Sequence, residues 1–224
     1  MAELYVVRHG QASFGAEDYD QLSTLGEQQA LLLGQYFAER DIHFDRVMTG
    51  TLKRHHQTAQ AIIEGAGWAA PVAEHPGFDE YDFKTLVAVA CRLQPQLSAW
   101  FDSCDKKSFY KGMRAALFLW LEGRLDGAAP ERWNDFKARV CGALTEVRQS
   151  GAGRTLAISS GGAMGLATQQ IVGGPDHLAI DLNMQLFNTG VCRYFYNRER
   201  IRLATFNGTP HLEHPAGTDL ITYA

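Results

Sequence analysis

Leu4-Tyr5-Val6-Val7-Arg8-His9-Gly10 is an apolar, partly β-branched run that gives way at once to Arg, His and Gly. It reads as a buried strand that delivers two polar side chains to the carboxyl edge of a sheet, where open α/β sheets hold their ligands. Arg offers a planar fork matched to phosphate, His a nitrogen nucleophile or proton carrier, and Gly a close approach of backbone to ligand. The bare tripeptide also fits a strand end with a surface Arg and a capping His, so the rest of the chain has to decide.

At 224 residues the chain suits one α/β domain, 1–224, with a well-buried core. A hydrophobic fraction of 46% and a charged fraction of 21% exclude a disordered or fibrous class. With 25 acidic and 21 basic residues the net charge is −4, which gives no electrostatic case for nucleic acid or an anionic membrane as partner. The N-terminal run lacks the pattern of a secretory leader, and no window is apolar enough to cross a bilayer. Cys91, Cys104, Cys141 and Cys192 lie far apart, so free thiols and a cytoplasmic location are expected.

Outward from the opening strand, Gln11 to Leu22 is a loop, and Thr24-x-x-Glu27 has capping-box spacing ahead of a helix to about Arg40. A strand over Phe44–Met48 precedes a helix over Thr51–Ile63, closed by Gly65 and Gly67, and a short strand follows near Val72. From about 84 to 149 strand signals vanish and apolar residues recur at helical spacing, which predicts an all-helical insertion in which Trp100, Trp120 and Trp133 pack. Thr155–Ser159 is again a strand, broken by glycine and followed by a helix over Ala163–Val172. Gly190–Tyr196 and Ile201–Phe206 form a hairpin. The predicted fold is an α/β three-layer sandwich, a mostly parallel sheet flanked by helices with the helical subregion 84–149 beside it.

Three clusters then gain meaning. Arg54 falls in the first turn of a helix after a strand, where amide donors and the helix dipole favour an anion. Phe78-Asp79-Glu80-Tyr81-Asp82 offers carboxylates, one of which can act as a proton donor if burial raises its pKa. Ser159-Ser160-Gly161-Gly162 is a strand-to-helix turn whose amides can hold a phosphate oxygen, or a place where strand and helix merely pack closely.

Taken together, these segments resemble the histidine phosphatase superfamily, the phosphoglycerate mutase-like fold. Its Arg-His-Gly motif is Arg8-His9-Gly10. Its Leu-Ser/Thr-x-x-Gly-x-x-Gln-Ala motif is matched by Leu22 to Ala30, one residue looser before Ala30. Its Ser-x-Leu-x-Arg-x-x-x-Thr-Ala motif is similar to Gly50-Thr51-Leu52-Lys53-Arg54-His55-His56-Gln57-Thr58-Ala59. The resemblance implies His9 as nucleophile through a phosphohistidine, Arg8 and Arg54 as clamps on the phosphoryl oxygens, and Glu80 as general acid and then base. Gly10, Gln11, Ser13, Ser23, Ser160 and Gly161 are implied around the phosphate or substrate. The substrate class is a small phosphate ester; no metal or cofactor is called for.

One departure matters. The family's last motif is Ser-His-Gly-Gly, and this chain has Ser159-Ser160-Gly161-Gly162, so Ser160 stands where the resemblance implies a second pocket histidine. A hydroxyl donates one hydrogen bond but carries no positive charge. His55 or His56, close after Arg54, could bring an imidazole toward that gap, although helix geometry lets only one of them face the pocket; the plainer expectation puts both on the helix surface, and His211-x-x-His214 reads as tail residues. Three functions remain: a phosphomonoesterase, a phosphoglycerate mutase, disfavoured because Lys84–Leu97 is mainly apolar and not arginine-rich, and a catalytically weak phosphate-ligand binding protein.

Overall fold

The computed structural model describes residues 2–13, 20–103, 105–213 and 218–223. Its centre is a six-stranded sheet in the order β3-β2-β4-β1-β5-β6. The strands are β1 (Ala2–Arg8), β2 (Arg46–Thr49), β3 (Val72–Glu74), β4 (Arg154–Ser159), β5 (Val191–Tyr196) and β6 (Ile201–Gly208). β3, β2, β4 and β1 run parallel, while β5 and β6 form an antiparallel hairpin against the free side of β1. The helices are α1 (Thr24–Glu39), α2 (Lys53–Ala66), α3 (Phe83–Leu93), α4 (Ser98–Phe101), α5 (Lys106–Leu121), α6 (Trp133–Gln149), α7 (Gly161–Val172) and α8 (His177–Asn183).

The inner strands are apolar throughout because both faces are covered. Tyr5, Val7, Val47, Leu156 and Ile158 face Ala30, Leu33, Phe37, Ala59 and Ile62 of α1 and α2. The intervening Leu4, Val6, Met48 and Ala157 face α3, α5, α6 and α7 on the other side. Successive strand residues thus alternate between two cores, as the pleat requires. The predicted sandwich is therefore the fold, and residues 84–149 are helical with short turns between. Sequence reading left out the short α8, placed the start of helical periodicity for α5 at Met113 instead of Lys106, and drew β2 about two residues early.

Within the helical block Trp120, Trp133, Phe136 and Tyr81 form one buried aromatic cluster, with Trp120 and Trp133 ring centroids 5.1 Å apart at 85°. Edge-on packing of this kind suits the ring quadrupoles. Trp100 departs from expectation: it sits on the short α4 and is partly exposed. The cluster reaches Tyr81, and so anchors the loop that carries Glu80.

Gly10 and Gly26 bring the end of β1 against the first turn of α1. A Cβ on Gly26 would lie 2.1 Å from the Gln11 carbonyl oxygen, and one on Gly10 would lie 2.3 Å from that of Gly26. Gly142, on the exposed side of α6, has open space instead. Gly142→Ala should therefore stabilise the protein by about 0.5–1 kcal/mol, the ordinary helix gain. Gly26→Ala, also in a helix, should cost about 1–3 kcal/mol through overpacking. Urea unfolding of both variants checks the opposite signs.

Candidate active site

The carboxyl ends of three adjacent strands, β2, β4 and β1, build the site. Their register sets Arg8 beside Ser159 and Thr49 beside Ile158, so the residues that follow each strand emerge together. The His9 amide donates to the Ser159 carbonyl (2.9 Å), and the His9 carbonyl accepts from Asn188 Nδ2 (3.3 Å). Thr189, whose φ of 53° is unusual for a β-branched residue, donates its amide to the Arg8 carbonyl. Its hydroxyl lies 2.9 Å from Nε2 of His211, which is buried with its pKa lowered to about 3 by desolvation. His211 is thus a core residue and not a tail residue; His214 lies outside the described residues.

The ring of His9 is held by Nδ1, 2.7 Å from the Gly10 carbonyl oxygen. A carbonyl only accepts, so the proton resides on Nδ1 and Nε2 keeps its lone pair. Burial, then the charges of Arg54 and Arg8 and the neighbouring His55, hold the His9 pKa well below its ordinary value. A neutral imidazole with a bare Nε2 is a nucleophile at neutral pH.

Arg8 is buried and donates from Nη1 to the Leu186 carbonyl (2.6 Å). Gly161 beside it makes room for Asn183: a Cβ there would lie 2.4 Å from Asn183 Oδ1, while 3.6 Å from Arg8 Nε it would make only an ordinary contact. Arg54, also buried, enters from the first turn of α2 and pairs with Asp20 (2.6 Å), whose other carboxylate oxygen accepts from the Lys53 amide (3.0 Å). Asp20 therefore satisfies a helix N-terminal donor and orients Arg54 at once. Thr58 ties α2 to the first strand, its hydroxyl accepting from the Gly10 amide and donating to the Arg54 carbonyl.

Glu80 faces the arginines from the loop after the turn Pro76–Phe78. Both of its carboxylate oxygens lie 3.1 Å from the Gly162 amide at the start of α7. Burial raises its pKa, against the opposing pull of that amide, Arg54 and Arg8. A Cβ on Gly162 would lie 2.2 Å from Glu80 Oε1, so the glycine exists to admit the carboxylate. Of the amides in the glycine turn, that of Gly162 thus serves Glu80 in this structure. Arg139 of α6 locks the loop, donating to the carbonyls of Pro76, Asp79 and Glu80 while its other contacts hold Glu131.

The predicted residues do not all meet the pocket in the same way. Arg8 and His9 at the end of β1, Arg54 tied to Gly10 through Thr58, and Glu80 on the Gly162 amide after β4 come together at the ends of adjacent strands. Ser23 caps α1, accepting from the Gly26 amide and donating to Gln11 Oε1 (2.9 Å), while the Ser13 hydroxyl donates to the Leu22 carbonyl and the Gln11 amide to Gln29 Oε1. Those three shape the loop in this structure. His55 overturns the expectation of a surface position: it is fully buried, and its Nε2 lies 2.7 Å from Ser160 Oγ. His56 does lie outward, near Glu74. Asp20 and Arg139 escaped sequence reading because an acidic or a basic side chain on a helix or loop is ordinarily solvated. Among the described residues no group of His, Cys, Asp and Glu is arranged as a metal cage, and no helix is long and apolar enough to cross a membrane.

The geometry agrees with comparison to known proteins. Over its full length the chain is similar to a probable phosphoglycerate mutase of Klebsiella pneumoniae, 26% identical over 234 aligned positions that cover 98% of this chain and 99% of the relative. A shorter match, 36% identical over 67 residues, covers 27% of this chain and 29% of a broad-specificity phosphatase of Saccharomyces cerevisiae. Among solved structures, YhfR of Bacillus stearothermophilus superposes with a TM-score of 0.68 at 18% identity, covering 95% of this chain and 100% of that one. A mutant phosphoserine phosphatase of Entamoeba histolytica in complex with phosphoserine superposes with a TM-score of 0.65 at 22% identity, covering the same shares. The family profile matches residues 4–209, and the chain belongs to the histidine phosphatase superfamily (branch 1).

Proposed function

We propose that the chain is a phosphomonoesterase that hydrolyses a small phosphorylated metabolite through a phosphohistidine at His9. The observation that carries this reading is the His9 ring itself, anchored through Nδ1 to the Gly10 carbonyl, kept neutral by burial and by the Arg8 and Arg54 charges. In the first step Nε2 attacks phosphorus, the P–O bond to the alcohol breaks, and Glu80 gives its proton to the leaving oxygen. In the second, Glu80 as carboxylate takes a proton from water, the water oxygen attacks phosphorus, and the P–N bond breaks to release phosphate. Arg8 and Arg54 act on the equatorial oxygens, where fixed charge stabilises the transition state most. The elevated pKa of Glu80 is what a donor to an alkoxide needs.

Mutase-type transfer is the second reading, favoured by the full-length likeness to a probable phosphoglycerate mutase. Against it, Lys84 to Leu97 carries only Lys84 and Arg92 as basic residues, and Leu86, Val89 and Ala90 of that stretch are buried in the helical core. An assay primed with bisphosphoglycerate separates the two.

His9→Ala should abolish metal-free hydrolysis of an aryl phosphate; equal rates for variant and wild type would sink the proposal. Glu80→Gln should lower kcat by about 10²–10⁴-fold. It also has a stability signature. Because the folded protein raises the Glu80 pKa, folding favours the protonated form, and the wild type loses stability relative to the variant as pH climbs from the unfolded value through the folded one. Urea midpoints should show the Gln variant gaining on wild type as the pH rises above about 4, the unfolded carboxyl value; a pH-independent difference would contradict the raised pKa.

A further inference from the structure

Helix α2 carries an imidazole into the pocket from the position after Arg54. The His55 ring is fully buried, its centroid 5.7 Å from that of His9 with a tilt of 34°. Its Nε2 lies 2.7 Å from Ser160 Oγ, also fully buried at the end of β4, and its Nδ1 faces Asp79 Oδ1 at 3.7 Å. Asp79 is itself fixed, accepting from the Thr51 amide (2.6 Å) and the Thr51 hydroxyl (2.7 Å). The space for this arrangement comes from Gly50, on which a Cβ would lie 2.3 Å from His55 Nδ1 and 2.4 Å from Asp79 Oδ1.

Two departures from the motifs that the chain resembles thus fall on either side of one ring. Where those motifs have Ser, Gly50 makes room for His55; where they have His, Ser160 bonds it. A buried hydroxyl and a buried imidazole at hydrogen-bond distance form a unit that is costly to leave half made. We propose that His55 is a positioning residue of the phosphate pocket: its imidazole, delivered from α2, orients the Ser160 hydroxyl toward the phosphoryl group. The pair then does together what a single histidine on the β4–α7 turn does in the motif. Among the described residues His55 Nδ1 makes no hydrogen bond, Asp79 Oδ1 lying beyond hydrogen-bond distance, so the proton is assigned to Nε2: His55 then donates to Ser160 Oγ, and the Ser160 O–H is left to donate to a phosphoryl oxygen. This rests on the phosphatase reading above and assigns two residues within it.

The test uses the whole chain, an aryl phosphate without added metal, and variants shown by thermal melting to be folded. His55→Ala and Ser160→Ala should each lower kcat by about 10–10²-fold, with KM shifted by less than about threefold, since a donor aimed at developing charge acts mainly on turnover. The double alanine variant should be little worse than either single, because the two act as one unit. Ser160→His alone adds a ring where His55 already stands and should remain slow. His55→Ala combined with Ser160→His should recover to within about tenfold of wild type. His55→Gln, which keeps much of the buried volume, should behave like His55→Ala, and His56→Ala should be unaffected. Loss of activity in His9→Ala with His55→Ala and His55→Gln at wild-type rates would overturn this inference and spare the phosphatase reading. So would a combined variant no faster than His55→Ala. Turnover surviving in His9→Ala would remove the phosphatase reading and this inference with it.

Discussion

The parallel pairing of β1 with β4 is the constraint on which the site depends. It sets Arg8 opposite Ser159 and lets the His9 amide donate to the Ser159 carbonyl just beyond the strand. A slip of one residue would turn His9 to the other face of the sheet, because side chains alternate along a strand. The register is held by apolar residues buried on both faces, Leu4 and Val6 toward one core, Tyr5 and Val7 toward the other. Packing over the whole β1 strand thus determines where one nitrogen points.

Around that nitrogen the charges are arranged in opposition. Arg8 and Arg54 push the His9 pKa down and pull that of Glu80 down, while burial pushes the Glu80 pKa up and wins. The result is a neutral imidazole and a carboxyl that holds its proton more readily than an ordinary one, both under the influence of the same two guanidinium groups. Each group is held by a neighbour that has no chemical step of its own: Arg8 by the Leu186 carbonyl, Arg54 by Asp20, Glu80 by the Gly162 amide and, through its loop, by Arg139. Such supporting contacts keep a site in register without being part of the reaction.

Much of this was legible in the sequence because it is local. Strand followed by Arg-His-Gly, strand followed by a helix with Arg54 in its first turn, and strand followed by a glycine turn each encode their geometry within about ten residues. The contacts that finish the site are not local. Arg139 meets Glu80 across 59 residues and His55 meets Ser160 across 105, and no periodicity or motif links such pairs. Helix geometry lets only one of His56 and His55 face the pocket, and a surface position is the plainer expectation for both, His55 included. The structure instead turns it inward, where Gly50 and Ser160 are both small enough to receive it.

The central claim is a covalent bond between His9 Nε2 and phosphorus. It is tested most directly by mixing the protein with an aryl phosphate, quenching rapidly under alkaline conditions and locating the phosphoryl group by peptide mass spectrometry. The account predicts one phosphoryl group on the peptide that contains His9, formed and lost within turnover and accumulating when Glu80 is replaced by Gln and the leaving group needs no proton. Turnover with no phosphoryl group on that peptide at any time, in wild type or in Glu80→Gln, would contradict it.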